Sequence, residues 1–307
     1  MTEFELIARL TQSLPANAAV VAGAGDDCAV LDLGVPDHLI LFKTDAVVEG
    51  IHFTRETPPE KIGYKALARC LSDIAAMAGT PTAALITLAL PKDFDAGHVA
   101  RIYDGLNELA RQTGVAIVGG ETTTNPGGML ISIALLGTVP RGSQLLRSGA
   151  KVGDAIFVTG ELGGSLAGKH LDFTPRLAEA RWLAEHFALH SLMDLSDGLA
   201  GDLPHILRAS GVGAELLKTT VPVSRAAKLR AAEKPPFVAA LTDGEDFELL
   251  FTLASKEAVK LVDAWKAAFP AVKLSCIGRI TKGSGLVIRD RHGLLPLNGG
   301  GYEHFRG

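Results

Sequence analysis

Cysteine is scarce in this chain of 307 residues: Cys28, Cys70 and Cys276 stand far apart, odd in number, with no CxxC pair. That excludes a disulfide framework and a thiolate zinc site, and the three read as free core thiols in a reducing compartment. No run of 18 apolar residues occurs, so no membrane span is expected. The start, Met1-Thr2-Glu3-Phe4-Glu5, is acidic and leads into no apolar h-region, so no secretory signal is read and the cytoplasm is the expected location. Aromatic residues make up only 6%, no basic-aromatic stretch offers a stacking platform, and the net charge is −4. Nucleic acid and anionic membrane surfaces are therefore not expected partners. Gly-x-Ser-x-Gly and His-Glu-x-x-His are also missing, which removes the nucleophile elbow and the zinc-protease signature.

What is present suits a globular chain: 47% hydrophobic and 21% charged residues, with length for one large or two ordinary domains. The distinctive content is a set of short acidic motifs rich in small residues. They are Gly23-Ala24-Gly25-Asp26-Asp27, Lys43-Thr44-Asp45, Leu71-Ser72-Asp73, Gly119-Gly120-Glu121-Thr122-Thr123 and Asp194-Leu195-Ser196-Asp197-Gly198. Each falls where a hydrophobic segment runs out, beside residues that let a ligand approach the backbone. Singly, each is a turn, because Asp and Gly suit turn geometry. Together they imply a site for hard cations and the phosphates that such cations bind. Two carboxylates about 4 Å apart repel by roughly 4 kcal/mol at an effective dielectric near 20. Several such pairs would rival a domain stability of about 5–15 kcal/mol. The motifs are therefore either dispersed or gathered around divalent ions.

The periodicity predicts helices over 4–14, 60–78, 98–113, 177–187, 199–210 and 256–268. Strands are read over 29–33, 39–42, 83–90, 115–118, 129–139, 155–159, 247–253 and 276–280. Alternation of the two makes each half α/β or α+β. Pro140-Arg141-Gly142-Ser143 begins a linker, which divides the chain into domains 1–140 and 141–307. Gly163-Gly164-Ser165-Leu166-Ala167-Gly168-Lys169 nearly spells a phosphate loop, but His170 stands where Ser or Thr would hold magnesium, so it reads as a Gly-rich turn. Phosphate charge must then be met by metal, backbone N–H groups after Gly119-Gly120 and Gly198, and a planar clamp from Arg147. In Gly244-Glu245-Asp246-Phe247-Glu248-Leu249, alternation puts Asp246 and Glu248 on a face opposite Phe247 and Leu249; they form a solvated edge, or a carboxylate site for a cationic substrate. His52, alone in Glu49-Gly50-Ile51-His52-Phe53, is structural or a substrate contact.

In order, the chain also carries Thr44-Asp45-x-x-Val48-Glu49-Gly50-x-His52-Phe53, Leu71-Ser72-Asp73-Ile74-Ala75-Ala76-Met77-Ala78-Gly79, Arg147-Ser148-Gly149-Ala150-Lys151-x-Gly153-Asp154 and Asp194-Leu195-Ser196-Asp197-Gly198-Leu199. With the Gly23, Gly119 and Gly244 motifs, this ordered set resembles the thiamine-monophosphate kinase family, within the superfamily of aminoimidazole ribonucleotide synthetase and selenophosphate synthetase. The resemblance covers nearly the whole chain. It implies transfer of the ATP γ-phosphoryl group to thiamine monophosphate, with several magnesium ions. It implies an N-terminal α/β domain that dimerises through its sheet and a C-terminal α+β domain packed against it. Carried over by position, the metal ligands would be Asp27, Lys43 (through its backbone), Thr44, Asp45, Asp73, Glu121, Asp194 and Asp197. Tyr103, Gly120, Glu121, Arg147 and Ser196 would meet ATP or its metals; His52, Glu245 and Tyr302 would hold the thiamine substrate. Asp45, Asp73 and Arg147 would carry the catalysis.

The chain departs from the family pattern at several positions. Glu121 stands where Asp is usual, Lys43 where a small hydroxyl residue is common, and Asp243 where glycine is usual. Gly299-Gly300-Gly301 precedes Tyr302 where a tryptophan is expected, and the stretch at 173–176 is shorter. Two rival readings remain: another ATP-using synthetase of the superfamily, acting on an amide or selenide, or a non-catalytic nucleotide-binding maturation protein.

Overall fold

The structure is a computed structural model that describes residues 3–297 and 300–302; Gly299 lies outside them. Two sheets fall on either side of the linker at 141. The first has β1 (Val20–Ala22), β2 (Ala29–Leu31), β3 (His38–Val48), β4 (Thr80–Leu90), β5 (Ala116–Thr124) and β6 (Leu130–Pro140), in the order β1-β2-β3-β6-β4-β5. Its pairs are antiparallel except β4–β5. A parallel pair needs a crossover, and α3 (Ala96–Thr113) supplies it, capped by Asp95 and stopped by left-handed Gly114.

α1 (Glu3–Thr11) precedes the sheet, and α2 (Pro59–Ala76) lies against it. Proline at the first positions of α2 suits its start. α2 and α3 cross with little space between them. A Cβ on Gly63 would lie 1.9 Å from Ile102 O, and one on Gly105 would lie 1.9 Å from Glu60 O, so glycine is what allows this approach. The covered sheet face is apolar and closed, with Leu41, Ile131, Ile133 and Leu135 at 0% exposure. The opposite face is open and leaves Phe42, Leu85 and Leu136 exposed.

The second sheet has β7 (Ala155–Thr159), β8 (Leu189–Asp194), β9 (Gly213–Leu217), β10 (Leu249–Leu253), β11 (Leu274–Thr281), β12 (Gly285–Asp290) and β13 (Gly293–Pro296). Its order is β13-β12-β9-β11-β7-β10-β8, antiparallel except β12–β9. The helices here are α4 (Leu177–His186), α5 (Leu199–Ser210), α6 (Arg225–Leu229), α7 (Pro236–Thr242) and α8 (Ala258–Ala268). β7 and β10 are buried along their whole length, because each face of the sheet is covered. Phe157 and Phe251 share one core with Leu183 of α4 and Trp265 of α8. Ile156 and Leu250 share the other with Leu203 and Ile206 of α5. The first of these cores runs on into the first sheet, through Leu67 and Leu71 of α2. The chain is thus α+β, built on two mixed sheets.

Three local expectations change. Gly119-Gly120-Glu121 lies inside β5, not in a loop, because the edge strand keeps pairing with β4 past a bulge at Ala84/Leu85. The strand expected from Phe247 begins at Leu249, because Gly244, Glu245 and Phe247 hold positive φ angles of 72°, 52° and 50°. Asp246 and Glu248 face no solvent: each is 1% exposed, Asp246 accepting from Gly163 N and Glu248 from Thr159, Lys169 and Arg176.

Candidate active site

Four of the five acidic motifs converge. Asp27 follows the turn after β1, Asp73 sits in the last turns of α2, and Asp194 ends β8. One oxygen from each lies within 4.8 Å of the other two. All three are buried, at 2%, 7% and 4% exposure. They belong to a cleft of about 350 Å³ that Lys43, Asp45, His52, Arg69, Arg147, Ser196, Asp197, Glu245 and Tyr302 also line. Three larger surface pockets, beside Lys218, beside Pro204 and beside Gln144, gather none of these motifs.

Helical spacing explains much of the geometry. Lys65, Arg69 and Asp73 are four residues apart, so α2 presents them along one stripe toward the second sheet. Strand alternation turns Lys43 and Asp45 of β3 toward that stripe. Lys43 Nζ donates to Asp73 Oδ1 at 2.9 Å. Arg69 Nε donates to Asp45 Oδ2 at 2.8 Å. Arg147 Nη2 donates to Asp27 Oδ1 at 2.5 Å. Ser72 Oγ donates to Asp194 Oδ2 at 2.6 Å. Three basic side chains thus hold the carboxylates together.

The electrostatics show the strain that remains. Burial, with the charges of Asp194, Asp45 and Asp27, pushes Asp73 well above the usual carboxylate range. Burial and the charge of Asp27 lift Asp194 to about 6. Burial and Asp27 likewise lift Asp26 to about 6. Burial also opposes the charge of Asp45, but Arg69 and Lys43 outweigh it and hold its pKa low. Asp27 Oδ2 is buried with no hydrogen-bond partner. An orphaned carboxylate oxygen inside a cluster of hard oxygen donors fits a divalent cation such as magnesium.

The other end of the cleft is built around Glu245. Its left-handed backbone is fixed by donation from Glu245 N to Ser196 O at 2.6 Å. Its carboxylate meets Lys65 Nζ at 2.7 Å, Arg69 Nη1 at 3.3 Å and His170 Nδ1 at 3.0 Å. Burial opposes ionisation, but His170 and Lys65 outweigh it and bring Glu245 down to about 2. His52 accepts from Val48 N at Nδ1, and burial with the nearby charge of Arg69 lowers it to about 4, so it is neutral with its proton on Nε2. Phe247 stacks on Phe173 with centroids 4.0 Å apart. Tyr302 N donates to Asp197 O, which brings Tyr302 to the rim.

Four expected residues are placed elsewhere. Thr44 is exposed on the open face of the sheet, where its hydroxyl meets Ser132. Register aligns Ala46, Ser132, Thr87 and Glu121 in one row across that face, so Glu121 is three strands from β3 and does not line the cleft. Gly120 pairs with Ile86, whose carbonyl leaves no room for a Cβ. Tyr103 is half-buried on α3 against the core. In the Gly163–Lys169 turn, Gly163 N donates to Asp246, Gly164 N to Asp243, and Lys169 Nζ to Glu248.

Sequence reasoning did not single out Lys65, Arg69, Asp202 or a role for His170. Lys65 is 0% exposed, and its Nζ donates to His52 O as well as to Glu245. Asp202, 1% exposed, accepts from Asp197 N and shapes the loop before α5. The i, i+4, i+8 spacing of Lys65, Arg69 and Asp73 was the available signal.

Two family models match the chain: AIR synthase related protein, N-terminal domain, over residues 25–139, and AIR synthase related protein, C-terminal domain, over residues 160–291. The thiamine-monophosphate kinase of Rhodopirellula baltica is 40% identical over 285 residues, 90% of this chain and 87% of that one. The thiamine-monophosphate kinase of Bacillus subtilis is 34% identical over 333 residues, 100% of both chains. Among solved structures, AaThiL complexed with AMPPCP and TMP matches with a TM-score of 0.82 and 30% identity, covering 99% of this chain and 97% of that one.

Proposed function

The chain belongs to the AIR synthase related family and, within it, to the thiamine-monophosphate kinases, and on that premise we propose how its cleft works. The enzyme transfers the γ-phosphoryl group of ATP to thiamine monophosphate, giving thiamine diphosphate and ADP. The observation that carries this reading is the buried meeting of Asp27, Asp73 and Asp194 in the cleft that also holds Arg147 and Glu245.

Magnesium held by Asp27, Asp73 and Asp194, with Asp45 and Asp197 close by, would neutralise the charge of two approaching polyanions. Arg147 offers a planar fork to the triphosphate once it leaves Asp27. Ser196 and the N-terminus of α5 offer polar groups to the same anion. Glu245, His52 and Tyr302 hold the cationic thiamine end, with Phe247 beside them. The acceptor is a phosphate, largely ionised near neutral pH, so alignment matters more than a general base and transfer is direct and in line.

The active form is a homodimer in this reading. The open face of the first sheet carries exposed Phe42, Leu85, Val118 and Leu136, an apolar surface that a second copy would cover. Gly120 and Glu121 stand on the edge strand β5 of that sheet and Tyr103 on α3, and their roles toward ATP rest on this pairing. The division into domains 1–140 and 141–307, and a cytoplasmic location, belong to the same reading. Among the described residues, no helix is long and apolar enough to cross a membrane.

The test is ADP release with ATP and thiamine monophosphate, with and without magnesium. Turnover that requires both is the expected result. Release with formylglycinamidine ribonucleotide or selenide, and none with thiamine monophosphate, would overturn it.

A further inference from the structure

Lys43 lies on β3 two residues before Asp45, and its side chain is 24% exposed. Its ammonium sits 2.9 Å from Asp73 Oδ1 and is held charged, against the cost of burial, by Asp73, Asp45 and Asp27. Asp73 is one corner of the carboxylate trio whose oxygens lie within 4.8 Å of one another. A second corner, Asp27, is 2% exposed and keeps Oδ2 without a partner. Each corner thus has one oxygen in contact with a cation, Asp73 Oδ1 with Lys43 and Asp27 Oδ1 with Arg147, but only Asp27 keeps a fully buried oxygen with no partner. A divalent ion takes carboxylate oxygens at about 2.0–2.6 Å and is repelled by a second cation at contact distance.

We propose that the Lys43 ammonium is a tethered cation of this basin, filling the seat beside Asp73 Oδ1 that a divalent ion would otherwise take and leaving the other Asp73 oxygen, with Asp27 and Asp194, for metal. Each active site then takes up one divalent ion fewer than it would with a small oxygen donor at position 43. The tether also keeps the basin assembled when no metal is bound. This inference rests on the reading of the cleft as a metal-dependent nucleotide site.

The experiment counts Mn2+ bound per protomer at saturating AMPPCP, by titration with electron paramagnetic detection of free Mn2+. It compares the full-length enzyme with Lys43→Ser and Lys43→Met. Lys43→Ser should bind one more Mn2+ than the parent, and Lys43→Met should not. In EDTA both variants should melt below the parent, and Mn2+ should restore Lys43→Ser but not Lys43→Met. Equal Mn2+ counts for the parent and Lys43→Ser would overturn the inference while leaving the kinase reading intact. If neither variant folds, crystals of the unaltered enzyme soaked with Mn2+ and AMPPCP decide. Anomalous peaks beside Asp27 and Asp194, with Lys43 still on Asp73, are expected; a peak between Lys43 and Asp73 would overturn the inference. No Mn2+ bound to the unaltered enzyme at all would overturn the metal reading itself.

Discussion

Arg147 Nη2 lies 2.5 Å from Asp27 Oδ1, and Arg147 N donates to both oxygens of the adjacent Asp26 at 3.2 Å. The linker between the two sheets is thus pinned to the first acidic turn by the same arginine that is proposed to grip the nucleotide. Its Nε is buried without a partner, so the guanidinium has donor capacity left for phosphate. Lysine would keep the charge but lose the fork. Arg147→Lys should lower kcat/KM for ATP by about 10²-fold, within the range seen when one transition-state donor is removed. Steady-state kinetics with varied ATP measure this; an unchanged value would remove Arg147 from the nucleotide site.

Asp73 is the corner of the cluster whose charge is least comfortable, for it is buried among Asp194, Asp45 and Asp27. Asp73→Asn removes that repulsion and a metal ligand together. kcat should fall by about 10³-fold or more, while melting in EDTA stays equal or rises. ADP release and thermal denaturation read the two effects separately. A fully active Asp73→Asn enzyme would refute a metal role for this residue.

The acidic set was legible because Asp and Gly in short motifs mark sites that backbone and ligand both approach. Its convergence was left open, and so was what would hold it together. Charge repulsion alone offered a choice between dispersal and divalent ions, whereas the fold adds Lys43, Arg69 and Arg147 as internal counter-charges. Those residues come from a strand, a helix and a linker, and no local pattern joins them. Asp246 and Glu248 illustrate the reverse failure. Alternation assumed a strand from Phe247, but two left-handed residues twist the backbone there and bury both carboxylates. Glu121 reads like its fellow motifs, yet register carries it to the open face of the sheet, which one chain viewed alone leaves bare.

Asp194 makes the metal-free enzyme sensitive to pH. Its folded pKa of about 6 lies above the ordinary 3.8, so the folded state holds this proton more tightly. That contribution to stability is complete below about pH 4 and is lost as pH rises through 6. The difference corresponds to about 3 kcal/mol. Asp194→Asn should therefore melt above the parent at pH 7.5 in EDTA, with the gap closing toward pH 4. His52, lowered to about 4, acts oppositely in the same window and cancels in the comparison. Melting curves from pH 4 to 8 test this; a gap independent of pH would show that Asp194 does not titrate there.

Lys169 ends the turn that nearly spells a phosphate loop, but its Nζ is 2.7 Å from Glu248 Oε1. Arg176 also donates to both oxygens of Glu248. Lys169→Met should leave KM for ATP within about twofold, where loss of a true phosphate lysine would cost far more. The side chain is 38% exposed, so the stability cost should be no more than about 1 kcal/mol. A large rise in KM for ATP would reinstate the turn as a phosphate site.

Lys65 and Glu245 give the sharpest test of the substrate end. Lys65 has 1% of its side chain exposed and Glu245 17%, and their contact is 2.7 Å. Burial disfavours the Lys65 charge, and Glu245 is the main group opposing that loss. Removing either partner leaves the other charge short of compensation in a dry site, which costs about 3–5 kcal/mol for buried pairs. Lys65→Met and Glu245→Gln should each destabilise on that scale. The double variant should be less damaged than the sum by about 1–3 kcal/mol, because the second change removes a charge that the first left stranded. The same variants separate structure from recognition. Arg69 and His170 still hold Glu245 in Lys65→Met, so a carboxylate that meets the cationic end of thiamine monophosphate survives there. KM for thiamine monophosphate should rise by about tenfold or more in Glu245→Gln and less in Lys65→Met, with KM for ATP nearly constant in both. Additive stabilities would mean that the ion pair is not a coupled unit. An equal rise in both KM values would place Glu245 in general architecture instead of substrate binding.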